Sequence, residues 1–331
     1  MNRQNFLIVF YTFFLLSLLT YSINDVDIYA VEKENDEDSM SLEYKFLKKF
    51  GTKGTAEGEF SAPHSLDIDK DGFIYVTDTG NNRIQKFTSD GEFILEWGQK
   101  GSGNGDFLKL HDISVEPTGK YVYTLELKNH RVQKFTSDGE FITKWGFEKT
   151  GGKGADRTPH QLAVDPLGFV YLTDKNGHQI LKFTENGEFI ETLGTKGSGP
   201  GEFIRPHGIT FDSNNTMFIT DMRNSRVQVL DNNFSLINEW GSLGNDTGQF
   251  SLTFPGIDYH EEKNLVVVVD KLSTQVQIFD RDGKFITKFG SKGKDSGEFK
   301  RPEDVSIDNI GKIYVTDTGN SRIQIFEPML K

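Results

Sequence analysis

Apolar and polar positions alternate in short stretches along this chain, and the stretches return every 47 to 49 residues. In the first copy, Ser65-Leu66-Asp67-Ile68-Asp69 alternates polar and apolar, the period of a strand. Phe73-Ile74-Tyr75-Val76-Thr77 is β-rich without alternation, as expected of a strand covered on both faces. Arg83-Ile84-Gln85-Lys86-Phe87 and Glu92-Phe93-Ile94-Leu95-Glu96-Trp97 complete a set of four. Lys70-Asp71-Gly72, Asp78-Thr79-Gly80-Asn81-Asn82 and Ser89-Asp90-Gly91 separate them with turn-forming residues. No stretch of the repeat carries a helical period.

The repeat is counted most easily by an acidic residue followed five positions later by Arg or Gln. The copies are Asp78/Arg83, Glu126/Arg131, Asp174/Gln179, Asp221/Arg226, Asp270/Gln275 and Asp317/Arg322. Six copies of a four-stranded unit predict an all-β, six-bladed propeller, in which radial packing covers both faces of each blade. An open solenoid is the alternative, and the chain ends argue against it. The sixth copy stops after its third strand, Arg322-Ile323-Gln324-Ile325-Phe326, while the segment Lys45-Phe46-Leu47-Lys48-Lys49-Phe50-Gly51 reads as a fourth strand at the other end. An N-terminal strand is therefore expected to complete the last blade and close the ring, protecting the strand edges.

The stretches Val76-Thr77-Asp78-Thr79-Gly80-Asn81-Asn82-Arg83-Ile84-Gln85-Lys86-Phe87 and Val315-Thr316-Asp317-Thr318-Gly319-Asn320-Ser321-Arg322-Ile323-Gln324-Ile325-Phe326 resemble the signature of the NHL repeat. The resemblance covers residues 42 to 327 and implies a six-bladed propeller. It says little about activity, because unrelated functions share that fold.

The first 22 residues differ. Arg3 precedes the apolar run from Phe6 to Leu19, and Thr20-Tyr21-Ser22 offers small residues for cleavage. This is the pattern of a secretory signal, with an uncleaved anchor as second choice. Residues 23–41 are polar and acidic, including Glu34-Asn35-Asp36-Glu37-Asp38, and are expected to form a flexible linker before the propeller at 42–331. The product would then be secreted or extracytoplasmic, or held at a membrane by the N-terminal segment. There is no cysteine in the 331 residues, so neither disulfides nor thiolate metal sites contribute. A net charge of -12 and the lack of any Lys/Arg run argue against nucleic acid as a partner. Asn214, Asn233 and Asn245 begin glycosylation sequons. The Gly-rich stretches at 101–105 and 197–201 recur between copies and read as linkers rather than phosphate-binding loops.

Two sets of residues carry candidate chemistry. Repetition of the acid/Arg pair favours a structural role, a carboxylate and guanidinium satisfying turn groups. A functional role would place Arg83, Arg131, Arg226 or Arg322 at the axis as an anion clamp. Repeat two, with Leu125-Glu126-Leu127-Lys128, and repeats three and five, with Gln179 and Gln275, break the pattern.

The second set precedes the first strand of each copy: Pro63-His64-Ser65-Leu66, Leu110-His111-Asp112-Ile113, Pro159-His160-Gln161-Leu162, Pro206-His207-Gly208-Ile209, Pro255-Gly256-Ile257 and Pro302-Glu303-Asp304-Val305. Four of the seven histidines occupy this one position. The start of an innermost strand faces one mouth of the central channel, so these side chains are expected to converge there. Imidazole and carboxylate suit zinc or another divalent transition metal; lining a hydrated channel is the plainer alternative. His130, His178 and His260 fall outside the ring and read as ordinary surface or turn residues.

Pro-His-Ser-Leu and His-Asp-Ile together with Asn-x-Arg-Ile-Gln also look like the peptidyl-hydroxyglycine amidating lyase branch of six-bladed propellers. That resemblance implies zinc on three of His64, His111, His160 and His207. It further implies a structural calcium at Asp112 and an active-site arginine among Arg83, Arg131, Arg226 and Arg322. The chain departs from that family in lacking cysteines and an identifiable catalytic tyrosine. Two functions follow: a binding module for a protein, glycan or small-molecule ligand, or a metal-dependent lyase or hydrolase. RNA binding is disfavoured by charge.

Overall fold

The computed structural model describes residues 17–23, 26–32, 42–147 and 158–330, with side chains from 42 onward. It falls into two units, residues 1–41 and 42–331. In the first, Ser17–Ile23 pairs antiparallel with Val26–Glu32, a hairpin where the sequence reading placed no strand. The remainder of the segments read as a signal and a linker lies outside the described residues.

The second unit is six four-stranded antiparallel sheets. From the axis outward, the first blade runs Pro63–Ile68, Ile74–Asp78, Arg83–Phe87 and Phe93–Trp97. The innermost strands of the other blades are Leu110–Val115, Pro159–Val164, Pro206–Phe211, Ile257–His260 and Pro302–Ile307. Neighbouring innermost strands pack side by side all the way round, the last against the first. The sixth blade takes its outermost strand from Leu42–Phe50, antiparallel to Arg322–Leu330, so the ring closes by the strand expected.

The second strand of each blade is buried on both faces because its residues serve two boundaries in turn. Ile74 and Val76 belong to the cluster shared with the sixth blade, while Tyr75 between them joins the cluster shared with the second. Six such clusters, one per boundary, form the core. Each described linker between blades adds a fully buried phenylalanine, Phe60, Phe107, Phe203, Phe250 or Phe299, at those boundaries. Phe107 lies on Gly98, whose φ of 98° and lack of a Cβ are both required, since a Cβ there would stand 2.2 Å from the ring.

The acid/Arg pair fastens linker to blade. Asp78 accepts hydrogen bonds from Ser61 N at 2.7 Å, Asn81 Nδ2 at 2.8 Å and Arg83 Nε at 2.9 Å. The Arg83 guanidinium donates to the carbonyls of Ala56 and Glu59 and to Glu96. Arg226 repeats this on Gly199, Glu202 and Glu239, and Arg131 and Arg322 hold three linker carbonyls each.

Candidate functional site

A β-bulge aims the histidines. The register slips between Pro63 and Leu66, Pro159 and Leu162, Pro206 and Ile209, and Pro302 and Val305, with a smaller slip between Leu110 and Asp112. The slip re-aims the side chains inside it. A threonine from the second strand brackets it by accepting the N–H of the residue after the histidine or glutamate. The bonds are Thr77 to Ser65 at 2.8 Å, Thr173 to Gln161 at 3.0 Å, Thr220 to Gly208 at 2.6 Å and Thr316 to Asp304 at 2.7 Å. In the Val-Thr-Asp runs, threonine therefore shapes the mouth while aspartate fastens the linker.

The four imidazoles converge. Ring centroids are 3.9 Å apart for His64 and His111, 4.3 Å for His111 and His160, and 3.5 Å for His160 and His207. The Nδ1 atoms of His64, His111 and His207 are buried without a hydrogen-bond partner. Burial holds all four below the ordinary histidine range, and His111, His160 and His207 well below it. Neighbouring imidazoles reinforce the shift in those three, with Lys175 acting on His160 and His207. The rings are neutral at pH 7, the form a metal accepts.

Beneath them is a cavity of about 10 Å³, lined by His64, His160, His207, Glu303 and Asp304 among others, and just large enough for one water-sized body. Glu303 lines it, but both its oxygens are engaged by Lys271, at 2.5 and 2.7 Å. Asp112 lines the cavity too, but its carboxylate accepts the Leu162 N–H of the next blade. Arg83, Arg131, Arg226 and Arg322 do not line this cavity. Their guanidiniums serve the linkers, which favours the structural of the two roles weighed above.

The donor chemistry suits a divalent transition metal: neutral imidazoles, three with orphaned nitrogens. The arrangement as it stands is tighter than a tetrahedral ion imposes, which is about 5 Å between ring centroids. Among the described residues no three His, Asp or Glu side chains are set as a metal-ligand group. Seating an ion requires the rings to turn apart.

Sequence reasoning missed two features. The first is a carboxylate ring deeper in the channel. Asp67 accepts Val115 N at 2.7 Å, Asp258 accepts Ile307 N at 2.9 Å, and Asp304 accepts Ser65 Oγ at 2.7 Å, each tying one blade to the next. Beyond lies a cavity of about 340 Å³ at the opposite mouth, and Gln161 and Asp304 line both cavities. The second is a set of cations around the histidine mouth. Its sequence signal was the basic residue just before the strand in Lys109-Leu110-His111, Arg205-Pro206-His207 and Arg301-Pro302-Glu303. Lys175 is the most affected of these. Burial, with Arg205, Lys271 and Arg223 nearby, pushes its ammonium down to about 8.

Of the remaining histidines, the His178 Nδ1 accepts the Arg205 N–H. His260 is buried rather than exposed, ending the innermost strand of the fifth blade.

The carboxylate ring predicts a pH effect. Burial, with Asp258 adding, pushes the Asp67 carboxyl up to about 8, and burial raises Asp258 as well. Between the ordinary carboxylate range and that value the folded chain binds protons that the unfolded chain does not. The stability these groups contribute is thus present in acid and is lost as pH rises towards 8. The melting temperature is expected to fall by a few degrees between about pH 5 and 8, and Asp67→Asn to flatten that fall. An unchanged slope in the variant would refute the assignment.

Comparison with known proteins agrees with this architecture. A family model described as "6-bladed beta-propeller" matches residues 161–239 and 256–327, and the NHL repeat model matches residues 60–87. NHL repeat-containing protein 3 of Homo sapiens is 36% identical over 73 residues, 20% of this chain and 21% of that protein. The human E3 ubiquitin-protein ligase TRIM32 is 50% identical over 46 residues, 14% of this chain and 7% of that one. The chain thus matches only a small part of these relatives. Among solved structures, a catalytically inactive virginiamycin B lyase from Staphylococcus aureus, crystallised with quinupristin, aligns with TM-score 0.57 at 17% identity, covering 87% of this chain and 88% of that one. A Bacteroides thetaiotaomicron protein of unknown function aligns with TM-score 0.61 at 13% identity, covering 95% and 82%. At such identities the likeness is one of fold. With the closed ring of six blades, these matches make the chain a six-bladed β-propeller that carries an NHL repeat at residues 60–87.

Proposed function

We propose that this chain is an exported NHL propeller that binds a ligand at its histidine-lined mouth, with a divalent transition metal held by His64, His111, His160 and His207. The observation that carries the reading is the convergence of four neutral imidazoles from consecutive blades, three with buried, unpartnered Nδ1 atoms. Export rests on the apolar run behind Arg3. The propeller supplies what a binding module needs, a rigid ring presenting loops from every blade around one mouth.

The test is metal content by mass spectrometry after metal-replete purification, on the parent and on a His64→Ala/His111→Ala/His160→Ala variant. About one metal per chain is expected in the parent, lost in a variant that still melts cooperatively. A metal-free parent would overturn the metal assignment.

A lyase or hydrolase acting on a small carbonyl or hemiaminal-like substrate is the second reading. Lys175 favours it, because an ammonium held near 8 beside the imidazoles can exchange a proton at neutral pH. A bound metal would supply Lewis acidity there. Turnover by the metal-replete protein that is lost in Lys175→Met is the expected sign. Turnover unchanged in that variant would remove Lys175 from the chemistry.

A further inference from the structure

The histidine mouth is opposite in sign to the chain as a whole. The protein carries a net charge of -12, yet six cations from five of the blades gather here. Lys109, Arg205 and Arg301 lead directly into innermost strands, and backbone bonds set Lys175 N on Thr158 O at 3.3 Å, Arg223 N on Ile204 O at 3.0 Å and Lys271 N on Thr253 O at 3.0 Å, beside the starts of others. Of the carboxylates here, Glu303 is occupied by Lys271, with Arg301 at 3.4 Å, while Asp112 accepts the Leu162 N–H and Asp304 the Ser65 hydroxyl. Among the described residues Lys109, Lys175, Arg205 and Arg223 form no ion pair; Lys109 and Arg223 are exposed, whereas Lys175 and Arg205 are half-buried. The Arg205 Nε is buried without an acceptor.

The half-buried Lys175 and Arg205 therefore lack their complement. Withdrawing a cation or an N–H from water without an acceptor is costly, and an anion placed among these groups offsets the cost. Arginine suits that task because its planar fork matches a carboxylate or phosphate. The cavity beneath holds only about 10 Å³, so the anionic group sits over the imidazoles while the rest of the ligand stays outside.

We propose that the histidine mouth is a receptor for the anionic terminus, carboxylate or phosphate, of a small ligand, gripped by Lys175, Arg205 and Arg223. This deepens the reading of the mouth as the binding site and does not depend on the metal. The ring of cations also draws such ligands towards the mouth against the negative field of the remaining surface.

The test is calorimetric titration of inorganic phosphate, and separately of malonate, into the metal-free and the zinc-loaded full chain at low salt. Saturable binding is expected at about one anion per chain, weakening as salt rises. Affinity should drop about tenfold in Lys175→Met and in Arg205→Met, and should hold in Lys175→Arg and in Lys284→Met on an exposed hairpin of the fifth blade. The tighter of the two anions identifies the terminus. Anion binding by a chain that takes up no metal would support this inference while the metal assignment fails. Metal uptake with no binding of either anion, or binding unaltered in both methionine variants, would overturn it.

Discussion

Deleting residues 42–51 is expected to bring the propeller close to unfolding under ordinary conditions, with a melting temperature lowered by roughly 20 °C or more. The segment is the outermost strand of the last blade, paired with the chain terminus from Leu42 opposite Leu330 to Phe50 opposite Ile323. Its aromatics reach both sides of the seam. Tyr44 packs on Phe289 and Phe46 on Phe326, while Phe50 stands 4.9 Å from Phe87 of the first blade. Three aromatic side chains contribute about 1.5–3 kcal/mol each. The ladder adds about 0.5–1.5 kcal/mol per hydrogen bond. Together these approach the roughly 5–15 kcal/mol that holds a domain. Deletion also bares a strand edge, so aggregation should accompany the loss. Restoration by a synthetic peptide of residues 42–50 would confirm the clasp, and an unchanged melting temperature in the truncated chain would refute it.

Asp78→Ala is expected to cost about 3–5 kcal/mol, the loss seen when one partner of a buried ion pair is removed. The Asp78 side chain is fully buried, and Arg83 is nearly so, at 8%. Without the carboxylate, Ser61 N loses its acceptor and the guanidinium is left with Glu96 and linker carbonyls. Because the penalty comes from the stranded cation, Asp78→Ala/Arg83→Met should lose less than the sum of the two single variants. Additive losses in denaturant unfolding would show that the two residues act independently. If Arg83 were instead an anion clamp at the axis, its loss would weaken ligand binding at the mouth without this coupling.

Much of the fold was legible because each blade is a local object. Strand period, turn residues and the 47–49 residue repeat are properties of contiguous sequence, and even the clasp showed as a strand missing from one end and present at the other. The two-sided burial of Ile74-Tyr75-Val76 was also visible as a run without alternation. The histidines were legible for the same reason, since they recur at one repeat position.

What the sequence could not decide was which separate residues meet. Lys109, Lys175, Arg205, Arg223, Lys271 and Arg301 form no run along the chain, and only the closed ring gathers them. Asp67, Asp258 and Asp304 resemble the solvent-facing half of alternating strands, yet at the axis every face of an innermost strand is interior. Glu303 and Asp112 share the repeat position or neighbourhood of the histidines, but Lys271 engages one and a neighbouring blade's N–H the other. By itself the sequence determined the unit, its number and the face each strand presents, because these follow from short-range period. Which charges pair, and which donors remain without an acceptor, was decided by the tertiary structure, because pairing depends on distances across blades that local periodicity does not encode.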